Sequence, residues 1–414
     1  MRILHTNEPA GRKALAAMIG RATNLERYDA VVRPVIQAVR ETGDTALRAC
    51  AQRWDGLQPG QPLAVHPAEM AEAWKRMSPA MRKALRRAER NIRTFCQWQM
   101  PKTWMKELEP GVRVGQKVEP LASVGCYVPG GRYPLPSTLL MTVIPAQVAG
   151  VKEIVVVSPR PQLETLAAAA MLGVKKFYRI GGAQAIAALA YGTKTVLRMD
   201  KIVGPGNSFV TAAKRSVAFD CAVDMLAGPT EALILADSGD AGWIAADLVA
   251  QAEHDEEAMS VFVTSKKKLG EAVATDAMAQ AAGNEIATQA LRRNGVVFIT
   301  KNRKEAIAVA DAIASEHVTV VDGETKGITA GSLFLGAYSA QAFGDYCAGP
   351  NHVLPTGGAA RFRGGLSVCD FVKVVSVQRI SKSGARSLAP FAVHLAEAEG
   401  LSAHAGSARA RSRC

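Results

Sequence analysis

Through the first part of the chain, apolar residues recur at three- and four-residue spacing. This pattern predicts helices over 25–42, 67–77 and 79–97. From residue 123 the period changes. Short, nearly continuous apolar runs such as EIVVVS at 153–158 and ALILA at 232–236 read as strands covered on both faces. The first series runs strand 153–158, helix 162–172, strand 176–180, helix 183–191, strand 201–203 and helix 207–216. The second runs strand 232–236, helix 243–253, strand 260–264, helix 266–281, strand 296–300, helix 305–314 and strand 318–321. Such alternation needs crossover connections and hence mainly parallel sheets.

At 414 residues the chain is too long for one ordinary core. The expected fold class is α/β, with two incomplete Rossmann-like domains built on parallel sheets and small helical segments at both ends. The expected division has an N-terminal helical segment at 1–24, a first α/β domain from 25–122 with 232–373, and a second at 123–231. A C-terminal helical arm takes 374–414. Within the arm, 388–399 is an apolar-periodic helix that Gly400 would end in the left-handed conformation. The segment 401–410 is too short to own a core and must dock on its own chain or on a partner.

Hydrophobic residues at 48% and charged residues at 21% fit a folded globular protein rather than a disordered one. No apolar run reaches the roughly 18 residues of a membrane span. The N-terminal residues lack the apolar stretch and small-residue cleavage site of a secretory signal, so a cytoplasmic protein is expected, with no membrane partner. The 7 cysteines are scattered, odd in number and without a CxxC pair, which favours a reduced compartment over a disulfide framework or thiolate zinc site. The net charge of +13 concentrates at 81–93, 266–268 and 409–413. With aromatics at 6% and no reading motif, a solvated basic surface is the expected reading and no nucleic-acid partner is implied.

Glycine-rich loops lie at strand–helix junctions: Tyr127 to Gly131, Gly181-Gly182, Gly204-Pro-Gly-Asn207 and Gly228-Pro-Thr230. Small residues at the carboxyl ends of strands let a backbone approach phosphate, although no intact GxGxxG is present. Each loop taken alone is equally a tight turn. A polar constellation is more specific: Gln251 and His254 on one helix face, Glu316-His317 in a helix-to-strand loop, then Asn351-His352, Asp370 and His404. Amide oxygen, imidazole and carboxylate suit a borderline metal such as zinc, but spacing alone equally allows hydrogen-bonded helix-end and loop residues.

The motifs resemble the histidinol dehydrogenase family. They are GCYVPGGRYPLPSTLLMTVIPAQVAGV from Gly125, GGAQAIAALAYGT from Gly181, KIVGPGN from Lys201, DMLAGPTE from Asp224 and DLVAQAEHD from Asp247. SEH from Ser315, GDYCAGPNHVLPT from Gly344, GLSVCDF from Gly365 and EGLSAH from Glu399 follow in the same order. The resemblance runs from about Asp44 to His404. It implies zinc ligands at Gln251, His254, Asp370 and His404, a catalytic pair at Glu316 and His317, and NAD contacts at Tyr127, Gln184 and Asn207. It also implies substrate contacts at Thr230, Gln251, His254, His317, Asp370, Glu399 and His404. Thr230 departs from the serine expected there; the hydroxyl is kept and a methyl added.

The implied chemistry is a zinc-dependent, four-electron oxidation of L-histidinol to L-histidine through a bound aldehyde (L-histidinal), with NAD as hydride acceptor. A homodimer with shared sites is implied too. The alternatives are a related dehydrogenase acting on another small alcohol, or a nucleotide- or nucleic-acid-binding protein without catalysis. Neither explains the full set of retained polar residues.

Overall fold

The structure is a computed structural model that describes residues 1–21, 25–130 and 133–412. Residues 22–24 of the expected N-terminal segment, Gly131 of the first glycine loop, and Arg413 and Cys414 lie outside the described residues.

In chain order the strands are β1 (Arg2–His5), β2 (Trp104–Glu109), β3 (Val112–Pro120), β4 (Ser123–Tyr127), β5 (Glu153–Val157), β6 (Lys176–Tyr178) and β7 (Lys201–Val203). They continue as β8 (Ala222–Val223), β9 (Glu231–Leu235), β10 (Met259–Thr264), β11 (Val296–Ile299), β12 (His317–Val320), β13 (Ser332–Leu335) and β14 (Val372–Ile380). One parallel sheet has the order β6-β5-β4-β7-β8, and a second has β1-β11-β10-β9-β12-β13. In each, the first strand of its series lies inside, with two successors on either side. This is the doubly wound order, and it appears twice. Among the described residues no helix is long and apolar enough to cross a membrane.

The central strands are buried on both faces, as their unbroken apolar runs require: β9, β10, β11 and β12 are buried at every position. Helices Leu163–Met171, Gly182–Tyr191 and Ser208–Val217 follow strands of the first sheet, and Ala241–Ala252, Lys267–Gln280 and Arg303–Ile313 follow strands of the second. Their caps are local. Asn207 and Asn302 each accept backbone N–H groups at a helix start, satisfying donors that have no partner inside the helix.

Packing departs from the expected division in two places. The N-terminal residues are not only helical. β1 pairs in parallel with β11, from Arg2 opposite Val296 to His5 opposite Ile299, and extends the six-stranded sheet, with helix Pro9–Ile19 beside it. Second, the helices of 26–99 cover the five-stranded sheet, not the body formed by 232–335. Helix Glu26–Thr42 lies on Gly182–Tyr191 and Ser208–Val217, Pro67–Arg76 on Leu163–Met171, and Pro79–Gln99 on Pro136–Ala149. Val32, Ile36 and Val39 share a core with Ile186, Leu189 and Val210. An apolar helical stripe tells which face is buried, not which sheet buries it.

β2, β3 and β14 form a separate antiparallel sheet in the order β14-β3-β2, with β14 and β3 in register from Val372 opposite Pro120 to Ile380 opposite Val112. β14 leads into helix Lys382–Ala398 and then Ser402–Ser412, which pack on each other. Gly400 between them has φ +75°, the left-handed cap expected from the sequence.

Candidate active site

Glu316 and His317 are buried at the amino end of β12, and Thr230 and Glu231 stand beside them at the amino end of β9. His317 belongs to the strand and not to the loop before it. Helix Ala241–Ala252 runs back against its strands, so its C-terminal end reaches the same edge and delivers buried Gln251. His254 follows in the next turn, its N–H donating to the Gln251 carbonyl at 3.4 Å.

A chain of hydrogen bonds joins these groups. The Gln251 amide nitrogen donates to the Thr230 hydroxyl. That hydroxyl donates to Glu316 Oε2 at 2.6 Å, and the Glu231 backbone N–H donates to the same oxygen at 2.8 Å. Glu316 Oε1 has no protein partner among the described residues. His317 Nδ1 faces the Glu231 carbonyl oxygen at 3.3 Å and lies 3.6 Å from Glu316 Oε2. Its Nε2 faces Asp345 Oδ1 at 3.3 Å, and the ring stacks on Phe334 with centroids 6.0 Å apart.

Both imidazole nitrogens thus face acceptors, which suits the doubly protonated ring. Burial pulls the His317 pKa down, but the carboxylates of Glu316 and Asp345 overcome it and raise the value to about 10. Burial tends to raise the Asp345 pKa; its hydrogen bond to His317 and the charges of His317, His352 and His254 hold it below the usual range. His352 donates through Nδ1 to the Asp345 carbonyl, 2.7 Å away, and burial lowers its pKa.

Asp345 is the residue that the sequence reading passed over. It lies in the GDYCAGPNHVLPT motif, on helix Gln341–Tyr346 beside helix Ala241–Ala252. Asp370, expected to join Gln251 and His254, stands apart from them. Lys201 donates to Asp370 Oδ1 at 3.1 Å and to its carbonyl at 2.8 Å, Arg363 approaches within 3.6 Å, and the Ser367 N–H donates to Oδ2 at 2.9 Å. Lys201 opens β7, so Asp370 lies at the amino edge of the five-stranded sheet. The segment from Asp224 to Thr230 runs instead from that sheet's carboxyl edge to the amino edge of the other, a span of at most roughly 22 Å.

Glu399 and His404 are exposed on the arm. Among the described residues no group of three or more His, Cys, Asp or Glu side chains is placed to hold a metal. The donor chemistry still fits a cation: with its nitrogen committed to Thr230, the Gln251 amide has its oxygen free, and His254 is exposed beside it.

The other expected contacts gather at the carboxyl edge of the five-stranded sheet. Tyr127 ends β4, Gln184 lies in the first turn of helix Gly182–Tyr191, and Asn207 caps helix Ser208–Val217. This is the edge, at the switch between β4 and β7, where doubly wound sheets bind ligands. The Gly182 N–H donates to the Tyr127 hydroxyl at 3.2 Å, and burial pushes that phenol up. Gln184 donates through Nε2 to buried Asp55 at 2.9 Å, leaving its oxygen free, and Asp55 also accepts the Gly181 N–H at 2.9 Å. Asn207 spends its oxygen on Phe209 and Val210, each 3.1 Å away, so its amide N–H groups remain for a ligand. Gly204, with φ +113°, passes so near β4 that a Cβ there would stand 2.0 Å from the Tyr127 carbonyl oxygen.

Two doubly wound sheets, a nucleotide-type crevice at the edge of one and a buried carboxylate–imidazole pair at the edge of the other suit an NAD-dependent oxidoreductase. A model of the histidinol dehydrogenase family matches residues 20–412. The histidinol dehydrogenase of Methanothermobacter thermautotrophicus is 46% identical over 397 residues, covering 92% of this chain and 93% of that protein. That of Aromatoleum aromaticum is 43% identical, covering 99% and 98%. The crystal structure of histidinol dehydrogenase from Elizabethkingia anophelis superposes with a TM-score of 0.93 at 32% identity, covering 99% of this chain and 98% of that one. An acetylating aldehyde dehydrogenase from Geobacillus thermoglucosidasius shares the fold at a TM-score of 0.51 and 13% identity, covering 88% and 95%. The chain belongs to the histidinol dehydrogenase family.

Proposed function

We propose that this chain oxidises L-histidinol to L-histidine through a bound aldehyde, the closing steps of histidine biosynthesis, with two NAD reduced in turn. The observation that carries this reading is the buried Glu316–His317 pair, at a sheet edge that the short segment from Asp224 to Thr230 ties to the edge bearing Tyr127, Gln184 and Asn207. The first hydride leaves the alcohol carbon as the hydroxyl proton is taken up. Water then adds to the aldehyde, and a second hydride leaves the hydrate carbon to give the carboxylate. Two kinds of proton must therefore be removed, one from the alcohol and one from water.

His317 suits the first. Nδ1 is committed to a carbonyl oxygen, which only accepts, so Nε2 is the nitrogen that exchanges a proton. It takes the alcohol proton only as the singly protonated ring, so the Nε2 proton that faces Asp345 must first pass to solvent. Glu316 suits the second, since Oε2 is held by Thr230 and Glu231 while Oε1 is left for water. Tyr127, Gln184 and Asn207 receive NAD, and Thr230, Gln251 and His254 face the substrate, with Glu399 reaching it from the same arm as His404.

Gln251, His254 and Asp345 would hold zinc, with Asp345 in place of Asp370 because it is the carboxylate beside His254 and His317. Zinc, when bound, supplies a closed-shell Lewis acid that orients the amine and imidazole of the substrate. His404 would come from the arm of a second copy, in a homodimer. The arm leaves Phe391 and Leu395 at 69% and 66% exposure, which supports docking on a neighbour.

The test is stoichiometric: zinc-loaded protein should form two NADH per L-histidinol consumed. One NADH with accumulating aldehyde, or no turnover, would contradict the reading.

A further inference from the structure

Glu231 reaches the Glu316–His317 pair through three separate groups. Its N–H donates to Glu316 Oε2 at 2.8 Å, its carbonyl faces His317 Nδ1 at 3.3 Å, and its Oε2 accepts the Glu316 N–H at 3.3 Å. Its carboxylate is nearly inaccessible and is met by Arg21, 210 residues earlier, through Nε at 2.6 Å and Nη2 at 2.5 Å. Gly357 N–H adds a further donor at 2.8 Å.

Arg21 does more than neutralise Glu231. Nη1 donates to the carbonyls of Met18 at 2.6 Å and Ile313 at 2.8 Å, and Nη2 to that of Ala314 at 3.4 Å. All five guanidinium N–H groups are thereby engaged. Ile313 and Ala314 end helix Arg303–Ile313, with Ala314 in the left-handed conformation at φ +49°, two residues before Glu316. The helix-end carbonyls have no partner within the helix, and Arg21 supplies one.

We infer that the Arg21–Glu231 pair is the positioning device of the Glu316–His317 dyad: one planar fork fixes both the strand that hydrogen-bonds the dyad and the helix end from which the dyad emerges. The ion pair lies on the six-stranded sheet, whereas Tyr127, Gln184 and Asn207 belong to the five-stranded one. Lysine cannot replace it, having three donors on a single point charge and no fork. The inference rests on the proposed roles of Glu316 and His317.

The experiment compares Arg21→Lys and Arg21→Ala with the parent, using zinc-loaded protein, L-histidinol and NAD, with folding checked by circular dichroism. In both variants kcat should fall at least tenfold, up to about 100-fold, since small misplacements of reacting groups cost this much. KM for NAD should stay within about twofold, and added guanidinium ion should restore activity to Arg21→Ala. A kcat per folded molecule within twofold of the parent in Arg21→Lys would overturn the inference, as would failure of guanidinium to rescue a folded Arg21→Ala. If Arg21→Ala does not fold, the Arg21→Lys result decides. Glu316→Gln and His317→Gln serve as controls: full activity there sinks the proposed chemistry itself, whereas inactive controls beside fully active Arg21 variants sink only the positioning role.

Discussion

The Thr230 hydroxyl donates to Glu316 Oε2 at 2.6 Å while accepting from the Gln251 amide, so one hydroxyl couples a proposed metal-binding side chain to a proposed base. Thr230→Val keeps the shape and removes both bonds. Glu316 Oε2 keeps the Glu231 N–H, but the Gln251 amide nitrogen loses its partner, and a buried polar group left unpaired costs about 1–3 kcal/mol. The expected result is a loss of kcat on the order of tenfold, read by NADH formation, with Thr230→Ser close to the parent. Parent-like turnover in Thr230→Val would show that the coupling is idle.

Asp345 and Asp370 separate by metal content. Asp345→Asn should lower the zinc retained after dialysis, because the carboxylate beside His254 is lost. Asp370→Asn should keep its zinc and instead weaken the attachment of the residues before β14 to Lys201. Elemental analysis of both variants decides. The reverse pattern would return Asp370 to the metal.

His317 gives the metal-free protein a pH dependence with a defined sign. Its folded pKa of about 10 lies above the ordinary 6.5, so its contribution to stability is fully present below pH 6.5 and disappears as pH rises through 10. The Asp345 depression acts in the opposite window, being lost as pH falls into the acid range. Thermal melts of metal-free parent and His317→Gln between pH 6 and pH 10 should show the parent's advantage shrinking with pH. An advantage that is constant across this range would contradict a protonated ring.

Much of the architecture was legible because buried parallel strands carry unbroken apolar runs. β5 and β9 show this, each preceding a helix of matching period. The antiparallel sheet was not. β2 reads WMKELE and is largely exposed, so its pattern resembles that of a solvated segment. β1 was hidden for another reason: its partner begins at Val296, and four residues carry no sign of so distant a pairing. The motifs brought out Glu316, His317 and Gln251, and the structure gathers these. They pointed to Asp370 and passed over Asp345; both are acids in conspicuous motifs, and topology says which sheet edge each reaches. Arg21 lay beyond any local signal, because its role depends on Glu231 in another part of the chain.

The arm carries the last expectation. Glu399 closes helix Lys382–Ala398 and His404 opens the next helix, both exposed, on an arm whose helices pack mainly on each other. Exposed Phe391, Leu395 and Leu401 lack a cover among the described residues, so the arm has a surface suited to a neighbouring body. If it crosses to a second copy, each site in a dimer combines the Gln251–His254 body of one chain with the His404 arm of the other. His254→Ala and His404→Ala should each be inactive alone, because each dimer lacks one ligand at both sites. Mixed dimers behave differently. One of their two sites joins an intact body to an intact arm, while the other collects both defects. Activity should therefore return to about half the parent value per mixed dimer. Were each arm to serve its own chain, both sites would keep one defect and the mixture would stay inactive. Differently tagged chains, exchanged and captured through both tags in succession, supply the mixed dimers for the assay. Inactive mixed dimers would place His404 with its own body and remove the crossed arm.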